Sequence, residues 1–317
     1  MPTDVPLAPP DFELASAHPE AGWLRQAAGA RDWAAIRRYV DGLPYGADRA
    51  FLVRVIAEVP GVEHLLREVV AAAPDDVLAL TALGSRETEI GWEIRTAARA
   101  QDVSREQFRQ MHEHLRTGEQ LLIRATALDP TYDAAWAARL NTSRGLQLGQ
   151  NEARRRYDRL AAHHPHHFTG QARLLQQLCP KWGGSWEAAH GFARACLLGA
   201  PEGALNGGLV AEAHIEHWLD LPSSGNARTD YLRQPNVHAE LVEAAGRSVL
   251  HPGHRPTYGW VTVQGCFAAL FSLTGDTARA AAHFRALGGL ASEYPWSYLG
   301  EPAEQYVRHR SAALGRG

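Results

Sequence analysis

The chain has 317 residues, 45% hydrophobic and 21% charged, a balance that builds packed cores and excludes a disordered polymer. A formal net charge of −3 provides no global positive field to hold a phosphate backbone, so nucleic acid is not an expected partner. No window approaches the roughly 18 to 20 apolar residues of a bilayer span, and the first twenty residues carry four acidic groups with no Lys or Arg. The expectation is a cytoplasmic protein with no membrane partner. Cys179, Cys196 and Cys266, odd in number and widely spaced, fit neither a disulfide framework nor a zinc knuckle and read as core thiols.

In chain order, residues 1–19 carry five prolines and little periodicity, which predicts an extended tail. Residues 20–74 read as short helices. Trp23, Leu24 and Ala27 share one face, and Trp33, Ile36 and Val40 share another, behind a cap at Asp32 and ahead of a stop at Gly42-Leu43-Pro44. Phe51 to Ile56 and Val62 to Val69 follow, divided by Pro60-Gly61. Residues 75–315 read as a helical-repeat domain continuous with these helices, opened by long helices over 76–100 and 104–128. Ser104 with Gln107 three residues on predicts a capping box at the start of the second. Tyr258 to Val263 is the one β-leaning run, inside a helical period.

Counting back from helix-ending prolines gives Gly118, Leu122, Ala125 and Pro130, then Ala153, Tyr157, Leu160 and Pro165. Ala188, Phe192, Ala195 and, one residue late, Pro201 continue the series, and Ala280, Phe284 and Leu287 repeat its first three offsets. A small residue admits a close helix crossing, a larger one fills the groove a turn later, and proline stops the helix. The spacing resembles the second helix of a tetratricopeptide repeat, so the expected fold is all-α, with degenerate tetratricopeptide-like repeats forming an α/α superhelix. The stretch from Ser223 to Pro256 fits no clean register.

The segment Pro180-Lys181-Trp182-Gly183-Gly184-Ser185-Trp186 resembles the Trp-Gly-Gly-Ser turn of a bacterial family, the domain of unknown function 4034. Gly91-Trp92 and Leu128-Asp129-Pro130 are compatible with it. The resemblance covers about residues 75 to 290. It implies a tetratricopeptide-type α/α fold and no particular chemistry.

Several constellations carry a chemical alternative beside a structural one. His163-His164-Pro165-His166-His167 offers four imidazoles, with His163 and His166 as candidate metal ligands, but consecutive side chains splay and the run falls at a repeat boundary. His214 and His217 lie three apart on one helix and can share a metal if another helix sends a carboxylate; otherwise they pack against the neighbouring pair. Glu89 and Glu93, one turn apart beside Trp92, are paired carboxylates if buried and a solvated face if not. Arg154-Arg155-Arg156 reads as a solvated helix edge, and Lys181, the sole lysine, as part of a turn with Ser185 capping the next helix. Trp182 and Trp186 then wedge adjacent helices. No GxGxxG, Walker loop, GxSxG or CxxC is present.

No metal or other cofactor is favoured on these spacings. Helical repeats present a concave face, which predicts a scaffold or adaptor for a protein or peptide partner. The alternative is a helical-repeat enzyme or a small-molecule or metal-binding sensor, with Glu89, Trp92, Glu93, Trp182, Trp186, His214 and His217 lining a pocket.

Overall fold

The computed structural model describes residues 7–43, 49–96 and 102–315. It is all-α, 73% helix with no strand among the described residues. The chain divides into two compact units, Glu20–Gly184 and a second that joins Met1–Pro19, with its one-turn helix α1 (Leu14–Ala17), to Ser185–Gly317.

Unit Glu20–Gly184 holds α2 (Pro19–Gly29, whose first residue belongs to the other unit), α3 (Trp33–Asp41), α4 (Arg49–Ala57), α5 (Val62–Ala72), α6 (Val77–Arg95), α7 (Arg105–Leu128), α8 (Asp133–Gly145), α9 (Gln150–Ala161) and α10 (Phe168–Leu178). The expected punctuation is present. Asp32 and Asp76 cap α3 and α6, accepting from the Ala35 and Ala79 amides at 2.9 and 3.0 Å. Ser104 and Gln107 form the capping box: the Gln107 amide donates to Ser104 Oγ at 3.2 Å, and the Ser104 amide donates to Gln107 Oε1 at 3.0 Å. α6 ends at Arg95, with Thr96 at φ +64°, short of the end expected near Ala100; Ala100 itself and the stop at Pro44 lie outside the described residues.

Glycines set how closely α6 and α7 cross. A Cβ on Gly118 would stand 2.6 Å from the Gly84 carbonyl, and one on Gly84 would stand 2.7 Å from Leu122. Gly91, two turns further along α6, faces Met111 and Leu115, earlier in α7, so the pair is antiparallel. Beyond this pair, α8 packs on α4, α6, α7, α9 and α10, which places α4, α6, α8 and α10 around one shared region. The change from N-terminal helices to repeats expected at 74/75 marks no division, because α5 and α6 pack on each other across it.

The second unit holds α11 (Trp186–Gly199), α12 (Gly208–Asp220), α13 (Ala227–Leu232), α14 (Pro235–Arg247), α15 (Trp260–Thr274), α16 (Thr277–Leu287), α17 (Glu293–Trp296) and α18 (Pro302–Leu314). The apolar helix α15 is buried along most of its length, against α12, α13, α16, α17 and α18. The β-leaning run Tyr258 to Val263 forms no strand, because α15 begins within it at Trp260. The tail expected over residues 1–19 is helical at Leu14–Ala17 and from Pro19, and residues ahead of α1 are fastened to the rest of their unit. Asp11 donates to the Gly289 carbonyl and accepts from the Ala291 amide, and the Arg310 guanidinium donates to the Ala8 carbonyl at 2.6 Å.

Repeat positions are buried in three of the four helices: Gly118, Leu122 and Ala125; Ala153, Tyr157 and Leu160; Ala280, Phe284 and Leu287. In α11 the register differs by one. Ala188 and Ala195 are exposed, while Ala189, Ala193 and Cys196 are buried. Residues 189, 193, 196 and 201 restore the 0, 4, 7 and 12 offsets, so the proline read as late is in step.

Candidate functional site

Two clusters of polar side chains stand out, one in each unit. The first is a pocket at the meeting of α4, α6, α8 and α10, lined by Arg54, Glu89, Ala134, Asn141, Thr169 and Arg173 among others. A contiguous, more polar part adds Glu58, Trp92 and Arg144. Small residues open the space: Ala50 from α4, Ser85 from α6, and Ala134, Ala137 and Ala138 from α8. Arg54, Arg144 and Arg173 reach it from three different helices. Arg144 lies over both Trp92 and Trp182, 5.7 and 5.6 Å from the ring centroids, which fixes its direction. Arg54 pairs with Glu58 at 3.1 Å. Burial pushes the Glu89 carboxyl above its usual range, against the pull of Arg173. Trp92 Nε1 is buried with no hydrogen-bond partner among the described residues.

Glu93 does not join this pocket. It accepts from Arg86 at 2.8 Å, and Arg86 also donates to Glu63 at 3.0 Å. The charged face of α6 is therefore only partly solvated. Arg86 and Glu87 are buried, Glu87 between Arg67 and His114 at 2.7 and 2.8 Å. Glu93 is held by Arg86, while Glu89 faces the pocket and feels both Arg173 and, at longer range, Glu93.

The Trp-Gly-Gly-Ser segment is a tight turn. Pro180–Trp182 is a single 3-10 turn, Gly183 has φ +85°, and a Cβ on Gly184 would come within 1.9 Å of the Leu178 carbonyl oxygen. The Trp182 carbonyl accepts from Gln150 and Gln177 at 3.0 and 3.2 Å. Ser185 caps α11 through the Ala188 amide at 3.1 Å.

The second cluster joins α11, α12, α13 and α14. Ligand atoms of His190, His214 and Glu240 all lie within 4.8 Å of one another. Glu240 Oε2 is 3.1 Å from His214 Nε2, and the Tyr231 hydroxyl is 2.7 Å from His214 Nδ1. His190 Nε2 lies 3.0 Å from His217 Nδ1 and 3.4 Å from the Tyr231 hydroxyl. His217 stacks on Trp186 with centroids 4.5 Å apart and planes 1° from parallel, while Trp186 Nε1 donates to Asp220 at 3.2 Å. Burial, reinforced by His214 and His217, lowers the His190 pKa to about 4, and burial lowers that of His217 as well. The hydrogen bond from His214 holds the Glu240 carboxyl below its ordinary value. At neutral pH His190 is thus a neutral imidazole beside a carboxylate.

The residues expected to line one pocket divide between the units: Glu89, Trp92 and Trp182 in one, Trp186, His214 and His217 in the other. His163 and His166 are exposed and belong to neither cluster. Their neighbours have structural duties. His164 Nε2 donates to the Thr131 carbonyl at 3.1 Å. His167 accepts from the Gly170 amide at 3.0 Å as the cap of α10, and its other nitrogen donates to Asp133 at 3.1 Å.

Sequence spacing missed His190, Tyr231 and Glu240, and with them Arg54, Arg144 and Arg173. Glu240 lies in the stretch with no clean register, and the three arginines are separated along the chain by whole helix pairs. No short motif links them. No family model matches the chain, and no curated protein matches it.

Proposed function

We propose that unit Glu20–Gly184 is a degenerate tetratricopeptide-like array whose first helices, α4, α6, α8 and α10, form a groove for an acidic segment of a cytoplasmic protein partner. The observation that carries this reading is the convergence of Arg54, Arg144 and Arg173, from three helices, on one solvent-open pocket. α8 begins at Asp133 and α10 at Phe168, 35 residues on, as a repeat requires. The positive side chains outnumber Glu58 and Glu89, and burial favours the neutral form of Glu89, so the pocket prefers a carboxylate. Arg144, held between two indoles, presents its guanidinium with little rotamer entropy left to lose.

Titrating the full chain with a panel of acidic, neutral and basic peptides, followed by Trp fluorescence and calorimetry, tests it. The acidic peptides are expected to bind most tightly, and Arg173→Ala to weaken them about tenfold or more while leaving the far-UV spectrum unchanged. Equal affinity across the panel, or no response to Arg173→Ala, overturns the reading.

A further inference from the structure

The second unit contains a constellation that the peptide groove does not use. We infer that His190, His214 and Glu240 bind one divalent first-row transition-metal ion. The donors are two imidazole nitrogens and one carboxylate oxygen, delivered by α11, α12 and α14. Bonds of roughly 2.0 to 2.2 Å place neighbouring ligand atoms of such a centre about 3 to 3.5 Å apart. His214 Nε2 and Glu240 Oε2 already stand at 3.1 Å, and no two of the three ligand atoms are more than 4.8 Å apart. Side-chain rotation alone covers the difference.

The surroundings are those of ligands rather than of packing. His214 has its Nδ1 held by the Tyr231 hydroxyl at 2.7 Å, which leaves Nε2 aimed at Glu240. A hydrogen-bonded far nitrogen fixes the ring orientation of a ligating histidine. A His–Glu ion pair accounts for His214 and Glu240 by themselves. His190 adds a third donor from α11: its ring centroid is 4.7 Å from that of His214, and its Nε2 lies 3.0 Å from His217 Nδ1 and 3.4 Å from the Tyr231 hydroxyl. One cation accepts lone pairs from several neutral imidazoles at once.

The donor set also indicates which metal. Two nitrogens and an oxygen suit zinc, iron(II), cobalt or manganese, and not the thiolate-seeking ions. Three protein ligands leave at least one position for water or an oxygen donor, the pattern of an open centre rather than a closed structural one. His214 is buried, and the Glu240 side chain keeps 23% of its surface exposed, so the approach from solvent is on the carboxylate side. The inference is independent of the groove in unit Glu20–Gly184 and of any peptide bound there.

The test uses the full chain, purified without an affinity tag, stripped with chelator and titrated with cobalt(II) and then zinc(II). One equivalent of cobalt per chain is expected, with visible d–d absorption that zinc abolishes. His190→Ala, His214→Ala and Glu240→Gln should each weaken binding at least a hundredfold in competition with a chromophoric chelator. Glu240→Gln keeps the size of the side chain, so a folded variant is available whatever the histidine changes do to folding. Tyr231→Phe should lower affinity roughly 10- to 100-fold without changing stoichiometry. His163→Ala with His166→Ala should change nothing. Binding well below one equivalent, binding undiminished in Glu240→Gln, or binding that follows His163 and His166 overturns the site.

Discussion

His283 shows what burial does to a single side chain. It is fully buried, stacked on Phe267 and Phe271 with centroids 5.3 and 5.6 Å away, and it donates through Nδ1 to Gln264 Oε1. Burial lowers its pKa from 6.5 to about 3. Below pH 6.5 the unfolded chain therefore takes up a proton that the folded chain refuses until about pH 3, and stability falls with falling pH across that window. Between pH 6.5 and 4.5 the loss from this group is about 2 to 3 kcal/mol. Urea unfolding as a function of pH checks it: His283→Phe should flatten the acid slope by that amount, and an unchanged slope would sink the assignment. Arg156 makes a related point. Within a run of three arginines read as a solvated edge, Arg154 and Arg155 do face water, but Arg156 is buried against Glu119 at 3.0 Å, beside Arg139.

Among the elements, α11 is where a one-residue choice decides which side chains are covered. Ala189 is fully buried and Ala188 is exposed, although both are small and adjacent. Ala189→Leu should overpack the contact with α12 and cost about 1 to 3 kcal/mol, whereas Ala188→Leu should stay within about 0.5 kcal/mol of the parent. Denaturant midpoints of the two variants measure it, and equal effects would return the register to Ala188. A helix boundary is more local than a helix face. The Ser104 and Gln107 box closes within four residues, and it therefore reads off the sequence while the face of α11 does not.

For the whole molecule, the consequence is that each unit has a core of its own. Leu24, Ile36, Leu52, Ile56, Leu66, Leu80 and Leu115 are fully buried within Glu20–Gly184, and Phe267, Phe271, Phe284, Trp296 and Tyr306 within the other unit. A fragment of residues 20–184 is expected to be helical and to unfold cooperatively in urea. A fragment with a coil-like far-UV spectrum, or with no cooperative transition, would show that this core is not self-sufficient. No helix among the described residues is long and apolar enough to cross a membrane.

Helical class, the caps at Asp32, Ser104 and Ser185, the proline stops and most of the buried repeat positions are local properties. Each depends on residues within a turn or two of one another, and the sequence by itself determined them. Glu89 and Trp92 were also legible as candidates, since a carboxylate and an indole on one helix face are visible in the spacing. The partners of these residues were not. Arg54, Arg144 and Arg173 meet because α4 and α10 both pack on α8, and His190 reaches His214 and Glu240 because α11 and α14 both lie against α12. Helix crossings are set by small residues, as Gly84 and Gly118 set that of α6 and α7, and their effect is felt only when two helices are brought together. The division at Gly184 has the same origin, since which helices share a core depends on packing between distant segments and not on the periodicity within any one of them.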